Sequence, residues 1–116
     1  MGRLINLQNL LVLSRQNLSF VREILEVYLA NNPKDIDALK KRVDNADWEH
    51  VGYYVHKLKS SSLTIGFNEG CKIYQEMESS IKDNDDLSDM PTLMDRAVKL
   101  CDQASIEIKI YLAENA

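Results

Sequence analysis

The chain has 116 residues, of which 45% are hydrophobic and 28% charged, and its formal net charge at pH 7 is -4. This balance excludes an intrinsically disordered chain. The length predicts one domain, residues 1–116, that buries about two-thirds of its unfolded-chain surface. The net negative charge argues against binding to nucleic acid, which needs a basic surface.

The N-terminal stretch lacks the features of a targeting segment. Its apolar run, residues 10–13, is short, and no small-residue cleavage site follows it. Gly2 would suit myristoylation only in a motif with serine or threonine at the position of Asn6. No window approaches the roughly 18 apolar residues of a membrane span. We therefore expect a cytoplasmic protein with no membrane partner.

The two cysteines, Cys71 and Cys101, are far apart and outside any C-x-x-C pattern. Two cysteines are too few for a disulfide framework, and their spacing does not suggest a zinc site. We therefore expect two small, buried side chains in a reducing compartment, and no bound metal.

The pattern of apolar residues is helical along almost the whole chain, which has only four glycines and two prolines. The predicted helices cover residues 4–13, 18–31, 33–43, 47–66 and 68–81, and a long last helix follows Pro91. The polar run over residues 82–89 is the predicted loop. Since short connections make neighbouring helices antiparallel, we expect an all-α fold, an antiparallel four-helix bundle with additional N-terminal helices.

Residues with strong positional preferences mark the ends of these helices. Asn32-Pro33 predicts a helix start, with asparagine at the N-cap and proline at the first helical position. Asp47 and Asn68 are expected to cap the next two helices, and Gly66 to end the helix between them. The helix over residues 18–31 is expected to be covered on more than one side, because it has two apolar faces. These faces carry Phe20, Ile24, Val27 and Tyr28 on one side and Leu18, Val21 and Leu25 on the other.

The stretch HKLKSSSLTIG, residues 56–66, places a histidine among residues that favour helices poorly. At about 100° per residue, the apolar side chains of this helix cluster on the side away from His56. This predicted core face comprises Val51, Val55, Leu58, Ser62 and Ile65. His56 should therefore point away from the core. His50 lies on the flank of the helix, and we interpret it as structural or incidental.

The residues four positions before and after His56, Gly52 and Ser60, are both small. Neighbours at this spacing normally crowd a helical side chain, so the pair should leave the imidazole open to a large partner. Glycine inside a helix costs roughly 0.5–1 kcal/mol relative to alanine, which calls for a functional reason. A solvated helix face with an unused histidine is the competing interpretation.

An exposed imidazole beside lysines suits the handling of a phosphoryl group. Neutral imidazole is a good nucleophile near neutral pH, and Lys59, one turn along the helix, could offset phosphoryl charge. Lys57 lies on an adjacent flank and is the weaker candidate. The sequence has no glycine-rich nucleotide-binding motif and no G-x-S-x-G, so we do not expect a self-sufficient enzyme.

The sequence VHKLKSSSLTIG closely resembles the signature of histidine-containing phosphotransfer (HPt) domains, H-x-L-K-[GS]-S-x-x-x-[IL]-G. The stretch FVREILEVYLANNPKDIDALKKRVDNADWEHV is similar to the two preceding helices of the family, with Asp47-Trp48 at the entry to the histidine helix. The resemblance runs from Phe20 to the last helix. The last helix and the first fifteen residues match only in being amphipathic.

The resemblance implies a role for each matching residue. His56 corresponds to the phospho-accepting histidine and Lys59 to the lysine that assists phosphoryl binding, while Gly66 closes the helix hairpin. Ser60 stands where many members have glycine, and it is still small enough to allow access. A receiver domain is expected to dock over His56. The expected docking residues are Gly52, Lys57, Ser60 and Leu63.

The implied function is that of a carrier in a multistep two-component phosphorelay, without kinase activity of its own. His56 would accept a phosphoryl group from the aspartate of one receiver domain and pass it to another. The receivers would belong to response regulators or hybrid sensor kinases. We expect no cofactor on this chain, because the partner receiver would supply Mg²⁺, and we expect a monomer.

Two other classes stay open on the sequence alone. One is a non-catalytic helical interaction module that binds a signalling partner and leaves its histidine unused. The other is the dimerisation and histidine-phosphorylation module of a sensor kinase. Its H-[ED]-[LI]-[RK]-[TN]-P box is absent, since KLKSS follows His56, and it normally forms its bundle by dimerising.

Overall fold

A computed structural model describes residues 3–83 and 87–115. The helices in this part of the chain are α1 (Gln8–Leu13), α2 (Leu18–Asp44), α3 (Trp48–Thr64), α4 (Asn68–Lys82) and α5 (Met90–Glu114). A 3-10 turn, Leu87–Asp89, leads into α5. Gly2 and the middle of the loop predicted over residues 82–89 lie outside the described residues.

Helices α2 to α5 form a closed bundle in which α2 packs against α3 and α5, and α4 packs against the same two helices. Residues 45–47 join α2 to α3 and residues 65–67 join α3 to α4. Such short connections make each helix antiparallel to the next. The predicted all-α, antiparallel four-helix bundle is therefore confirmed.

Helix α1 packs on α2 as an N-terminal addition to the bundle. The sequence predicted that this helix begins at residue 4, but it begins at Gln8. The backbone N–H groups of Leu4 and Ile5 donate instead to the carboxylate of Glu107 on α5, at 2.8 and 3.1 Å. These contacts hold Leu4 and Ile5 against α5.

Helix α2 is continuous where the sequence predicted two helices. Pro33 lies inside it, although an interior proline costs about 3 kcal/mol and cannot donate to the carbonyl of Leu29. Side chains on both sides of the proline are buried, Tyr28 before it and Leu39 after it. Their packing against one core outweighs the local preference for a break. Asn32, predicted as an N-cap, is therefore a buried residue of the helix interior.

Helix α2 buries a single face, which takes side chains from both of the predicted faces. Val21, Leu25 and Tyr28 are buried and Ile24 packs against the core, whereas Leu18, Phe20 and Val27 are exposed. The expected cover is therefore present for Ile24 and Tyr28 and absent for Leu18, Phe20 and Val27. A helix at the corner of a four-helix bundle meets its neighbours on one side, and α2 meets α3 and α5 there.

The turn between α3 and α4 depends on Gly66, which has a φ of +71°. This left-handed conformation favours glycine. A Cβ atom at Gly66 would also lie 1.8 Å from the carbonyl oxygen of Asn6. The N–H of Asn6 donates to the Gly66 carbonyl at 3.0 Å, so the N-terminal segment closes over the turn. The predicted helix end at Gly66 is confirmed.

The N-caps predicted for α3 and α4 also differ from expectation. Asp47 occupies the N-cap position of α3, but its side chain makes no capping hydrogen bond. Its carboxylate accepts a hydrogen bond from the guanidinium group of Arg42 instead. It also accepts one from Nδ1 of His50 when that nitrogen carries the proton. Asn68 is the first residue of α4, and Phe67 precedes it in the cap position.

The two cysteines are free, and their environments differ. Cys101 is buried, as predicted, with its Sγ 3.2 Å from the Tyr74 hydroxyl and 3.9 Å from Oδ1 of Asn32. Burial raises the pKa of the Cys101 thiol, so the group stays neutral in the core. Cys71 is half-buried rather than buried, because it lies at the rim where α4 meets α3.

Candidate functional site

Helix α3 turns its apolar face inward and His56 outward. The core-facing residues of α3 and the turn that follows are at most 1% exposed, and they are Val51, Val55, Leu58, Ser62 and Ile65. The side chain of His56 is 72% exposed. His56 therefore points away from the core, as the helical projection predicted.

The residues four positions before and four positions after His56 on the helix, Gly52 and Ser60, are small. Apart from the adjacent residues and the backbone of its own helix, a Cβ atom at Gly52 would meet no atom within 4 Å, so the space beside this residue is open. Ser60, one turn beyond His56, is exposed. A bulky partner can therefore approach the imidazole along the helix axis from both sides.

Lys59 and His56 converge on one carboxylate of α4. The Nζ of Lys59 forms an ion pair with Oε1 of Glu78 and donates a hydrogen bond to Oε1 of Gln75 at 3.1 Å. The other oxygen of Glu78, Oε2, lies 3.5 Å from Nδ1 of His56. Glu78 thus brings the candidate nucleophile and the candidate cation into one cluster, which we call the His56 cluster: His56, Lys59, Gln75 and Glu78.

Lys57 lies apart from the His56 cluster. Its Nζ donates a hydrogen bond to Oδ1 of Asp35 on α2, at 3.0 Å. This hydrogen bond and the charge of Asp35 raise the pKa of Lys57. Lys57 therefore links α3 to α2, and it lies on the flank of α3 that the helical projection predicted.

A shallow groove of about 600 Å³ runs between α3 and α4 beside Lys59. Its lining residues are Lys59, Ser60, Leu63, Cys71, Lys72, Gln75 and Glu76. Leu63 is 70% exposed, which is unusual for a large aliphatic side chain on a folded helix. Three of the predicted site residues, Lys59, Ser60 and Leu63, therefore share one surface, while Gly52 lies on the other side of His56.

Another groove, of about 530 Å³, lies between α4 and α5 and includes none of the predicted site residues. Within residues 3–83 and 87–115, no group of three or more His, Cys, Asp or Glu side chains could hold a metal ion. None of the helices described is long and apolar enough to cross a lipid bilayer.

Sequence reasoning missed Glu78 and Gln75, which lie on α4. The two α4 residues could not be assigned from α3 alone, since the signature that singles out His56 ends at Gly66. A helical projection of α4 from its core residues, combined with antiparallel packing against α3, could have predicted that Glu78 lies beside the histidine.

The model of the Hpt domain family matches residues 23–112. The chain therefore belongs to the histidine-containing phosphotransfer (HPt) domain family, whose members are phosphotransfer modules of two-component signalling. Domains of this family carry phosphoryl groups rather than act as kinases, and they interact with receiver domains.

The fold is similar to that of a solved structure from Shewanella, the HPT domain of the Hpt sensor hybrid histidine kinase. The TM-score is 0.82 at 18% sequence identity, and the match covers 95% of this chain and 94% of the Shewanella chain. At this identity the likeness establishes a shared fold. A search among curated proteins found no match.

Proposed function

We propose that His56 accepts a phosphoryl group from the phosphorylated aspartate of a receiver domain and passes it to the aspartate of a second receiver. The observation that carries this proposal is the His56 cluster: an outward imidazole with an ammonium group and a carboxylate at its side. The open helix surface at Gly52 and Ser60 and the position of Lys59 one turn along α3 distinguish it from an idle surface histidine.

The transfer needs no redox chemistry and no cofactor on this chain. A lone pair on the imidazole of His56 attacks phosphorus in line, a P–N bond forms, and the P–O bond to the receiver aspartate breaks. The aspartate leaves as a carboxylate with the electron pair. In the second half the carboxylate of another receiver attacks the same phosphorus and the P–N bond breaks. We propose that the receiver supplies Mg²⁺ in both halves, because positioning and charge stabilisation are most of what phosphoryl transfer requires.

Lys59 is proposed to stabilise the charge of the phosphoryl group in transit. Its Nζ, on the helix turn after His56, is already held near the imidazole by Glu78 and Gln75. A charge-assisted hydrogen bond from an ammonium group to a phosphoryl oxygen is among the stronger polar contacts in proteins. Lys59 therefore acts on the reacting group, and Lys57, which is paired with Asp35, contributes at most to the rim of docking.

The receiver is proposed to dock over α3, with its acidic pocket closing on the imidazole. Gly52 and Ser60 leave the approach free, and Leu63 offers an apolar contact at the edge of the groove beside Lys59. Because the four main helices close their own bundle, we propose that the protein works as a monomer. Its mass in solution by light scattering checks this directly.

The experiment is a phosphotransfer assay with receiver domains from the same genome, each phosphorylated beforehand and mixed with the protein in the presence of Mg²⁺. The wild type should gain phosphate that is labile in acid and stable in alkali, as a phosphoramidate is. His56→Gln should gain none and keep the wild-type circular dichroism spectrum, since the side chain lies outside the core.

The competing function, a helical module that binds a signalling partner without carrying phosphate, predicts a different result. Wild-type protein would then bind a receiver and gain no acid-labile phosphate from any phosphorylated receiver that transfers to a known HPt domain. That outcome would overturn the proposed function.

A further inference from the structure

Tyr53 is a large aromatic side chain that α3 exposes beside His56. It is 62% exposed, and on α3 only Leu63, at 70%, is a comparable exposed apolar side chain. From ideal helix geometry, Tyr53 lies about 60° round the helix from His56 and about 4.5 Å before it along the axis. A specific protein interface takes about 800 Å² from each partner. A partner that covers the imidazole therefore covers Tyr53 as well.

The contacts of two lysines show on which side of His56 the ring of Tyr53 lies. Lys57, one turn after Tyr53, pairs with a carboxylate of α2, whereas Lys59 pairs with a carboxylate of α4. Tyr53 therefore lies on the α2 side of the imidazole. The α4 side is taken by the ion pair of Lys59, so the exposed apolar surface next to the histidine is that of Tyr53.

The ring of Tyr53 is held in place by a neighbour that is anchored in the core. It packs edge-on against Tyr54, with the ring centroids 5.1 Å apart, and Tyr54 in turn packs against the core. The hydroxyl group of Tyr53 has no hydrogen-bond partner among residues 3–83 and 87–115. A ring that is already fixed loses little conformational freedom on binding, and its hydroxyl is available to a partner.

The distribution of charge also favours the α2 side of His56 for an acidic partner. Residues 1–67, which include α2 and α3, contain nine lysines and arginines and seven aspartates and glutamates. Residues 68–116 contain five and eleven. The acidic pocket around a receiver's aspartate is therefore repelled less on the α2 side than on the α4 side. This favours a receiver footprint that extends from His56 over Tyr53.

We propose that Tyr53 is a specificity-determining residue, which anchors the receiver domain and selects receivers with an apolar recess beside their phosphorylated aspartate. The recess takes the ring, and a polar group at its rim pairs with the hydroxyl. A receiver with a charged side chain at this place has to desolvate it against the ring and binds more weakly. This inference rests on the proposed function of His56 and adds the surface feature that its partner must have.

The first test is receiver binding in the His56→Gln background, which cannot carry phosphate. The receivers come from the same genome and are activated with Mg²⁺ and beryllofluoride, a mimic of aspartyl phosphate. In isothermal titration, Tyr53→Ala should raise the Kd of the best-bound receiver about tenfold, and Tyr53→Phe less than threefold. Ile106→Ala is the matched control, since Ile106 is 59% exposed on α5, which packs against α2 and α4. Equal Kd values in Tyr53→Ala and Ile106→Ala would overturn the proposal.

The second test is phosphoryl transfer to His56. With the best receiver, Tyr53→Ala should raise KM about tenfold and leave the maximal rate within about twofold, and it should narrow the preference for that receiver over the next. Phosphoramidate, a small donor that needs no docking, should phosphorylate Tyr53→Ala at the wild-type rate. An equal loss with phosphoramidate would mean that Tyr53 acts on the histidine itself, which contradicts the assignment. An unchanged receiver preference would contradict it too.

The two tests separate this inference from the proposed function. If receivers bind through Tyr53 but none phosphorylates the wild type, the proposed function fails and the docking anchor stands. If transfer occurs and neither binding nor receiver preference depends on Tyr53, the anchor fails and the proposed function stands. If no receiver binds the protein, both fail.

Discussion

Helix α3 carries two exposed histidines, and the comparison between them separates the proposed phosphotransfer site from a structural one. The side chain of His50 is 54% exposed and that of His56 is 72% exposed. Each has a carboxylate oxygen near Nδ1, from Asp47 at 2.8 Å and from Glu78 at 3.5 Å. Exposure and a neighbouring carboxylate are therefore common to both, and they do not by themselves make a phosphotransfer site.

The surroundings of the two rings differ in access and in the position of the cation. His50 has Tyr54 four residues later, where His56 has Ser60. The carboxylate beside His50 is shared with Arg42 at the end of α2, so the trio closes the turn between α2 and α3. The carboxylate beside His56 is shared with Lys59, next to a groove that a partner can reach. Access, and a cation beside a groove that a partner can reach, are what distinguish the second site.

The largest effect should come from exchanging the two histidines separately for glutamine. His50→Gln is expected to accept phosphate from a phosphorylated receiver at the wild-type rate, whereas His56→Gln loses the reaction entirely. His56→Gln should unfold at the wild-type urea concentration, because the ring is not buried, and His50→Gln slightly below it, because the contact with Asp47 is lost. Loss of transfer in His50→Gln, with its fold intact, would remove the distinction between the two sites.

The next largest effect concerns the two lysines that flank His56. Lys59→Ala should slow transfer about tenfold, the equivalent of about 1.4 kcal/mol of transition-state stabilisation. Lys57→Ala should leave it within about twofold, since Lys57 is engaged with Asp35 on the far flank. Stopped-flow or rapid-quench measurements with one receiver give both rates. Equal losses in the two variants would mean that general positive charge, and not the position of Lys59, matters.

A smaller effect is expected where the approach to His56 is narrowed. Gly52→Ala should stabilise the fold by about 0.5–1 kcal/mol in urea unfolding, because the position is helical and open. Gly52→Leu should fold equally well but slow transfer about fivefold, since its side chain covers one side of the imidazole. If the leucine variant transfers as fast as the alanine variant, the open surface at Gly52 is not used for docking.

The smallest effect belongs to the His50 site and appears in acid. Burial raises the pKa of Asp47, but its hydrogen bonds with His50 and Arg42 outweigh this, and the pKa lies below its ordinary value. Because the pKa of Asp47 is lower in the folded protein than in the unfolded chain, the ionised carboxylate stabilises the fold above about pH 4. This stabilisation is lost as the pH falls through the pKa of Asp47 in the folded protein. His50→Ala should bring the pKa of Asp47 back towards normal in a ¹³C carboxyl titration, and leave phosphotransfer at neutral pH unchanged. An unmoved titration curve would show that His50 does not hold the carboxylate.

The orientation and the end of α3 could be predicted from the sequence because both depend on residues that are close together in the chain. The spacing of Val51, Val55 and Leu58 determines which way His56 points, and the left-handed turn at Gly66 needs a glycine. The bundle itself follows from a few amphipathic helices with short connections. For these features, residues within two helical turns of each other are sufficient.

The features that were missed depend on residues distant in sequence. Pro33 remains inside α2 because both halves of that helix pack against one core, a tertiary effect that local propensity does not contain. Phe20 and Val27 look like core residues in the sequence and lie exposed, since no neighbouring helix covers that flank in the part of the bundle described here. Glu78 reaches His56 from α4 only through the packing of the hairpin.

The central claim is that the phosphoryl group resides on His56 and not on His50. Both histidines fall in the tryptic peptide over residues 43–57, between the cleavage sites at Arg42 and Lys57. Fragmentation of this peptide by electron transfer, after phosphorylation by a receiver and handling in mild alkali, locates the added phosphate. The account predicts phosphate on His56 alone. Phosphate on His50, or shared between the two rings, would contradict it.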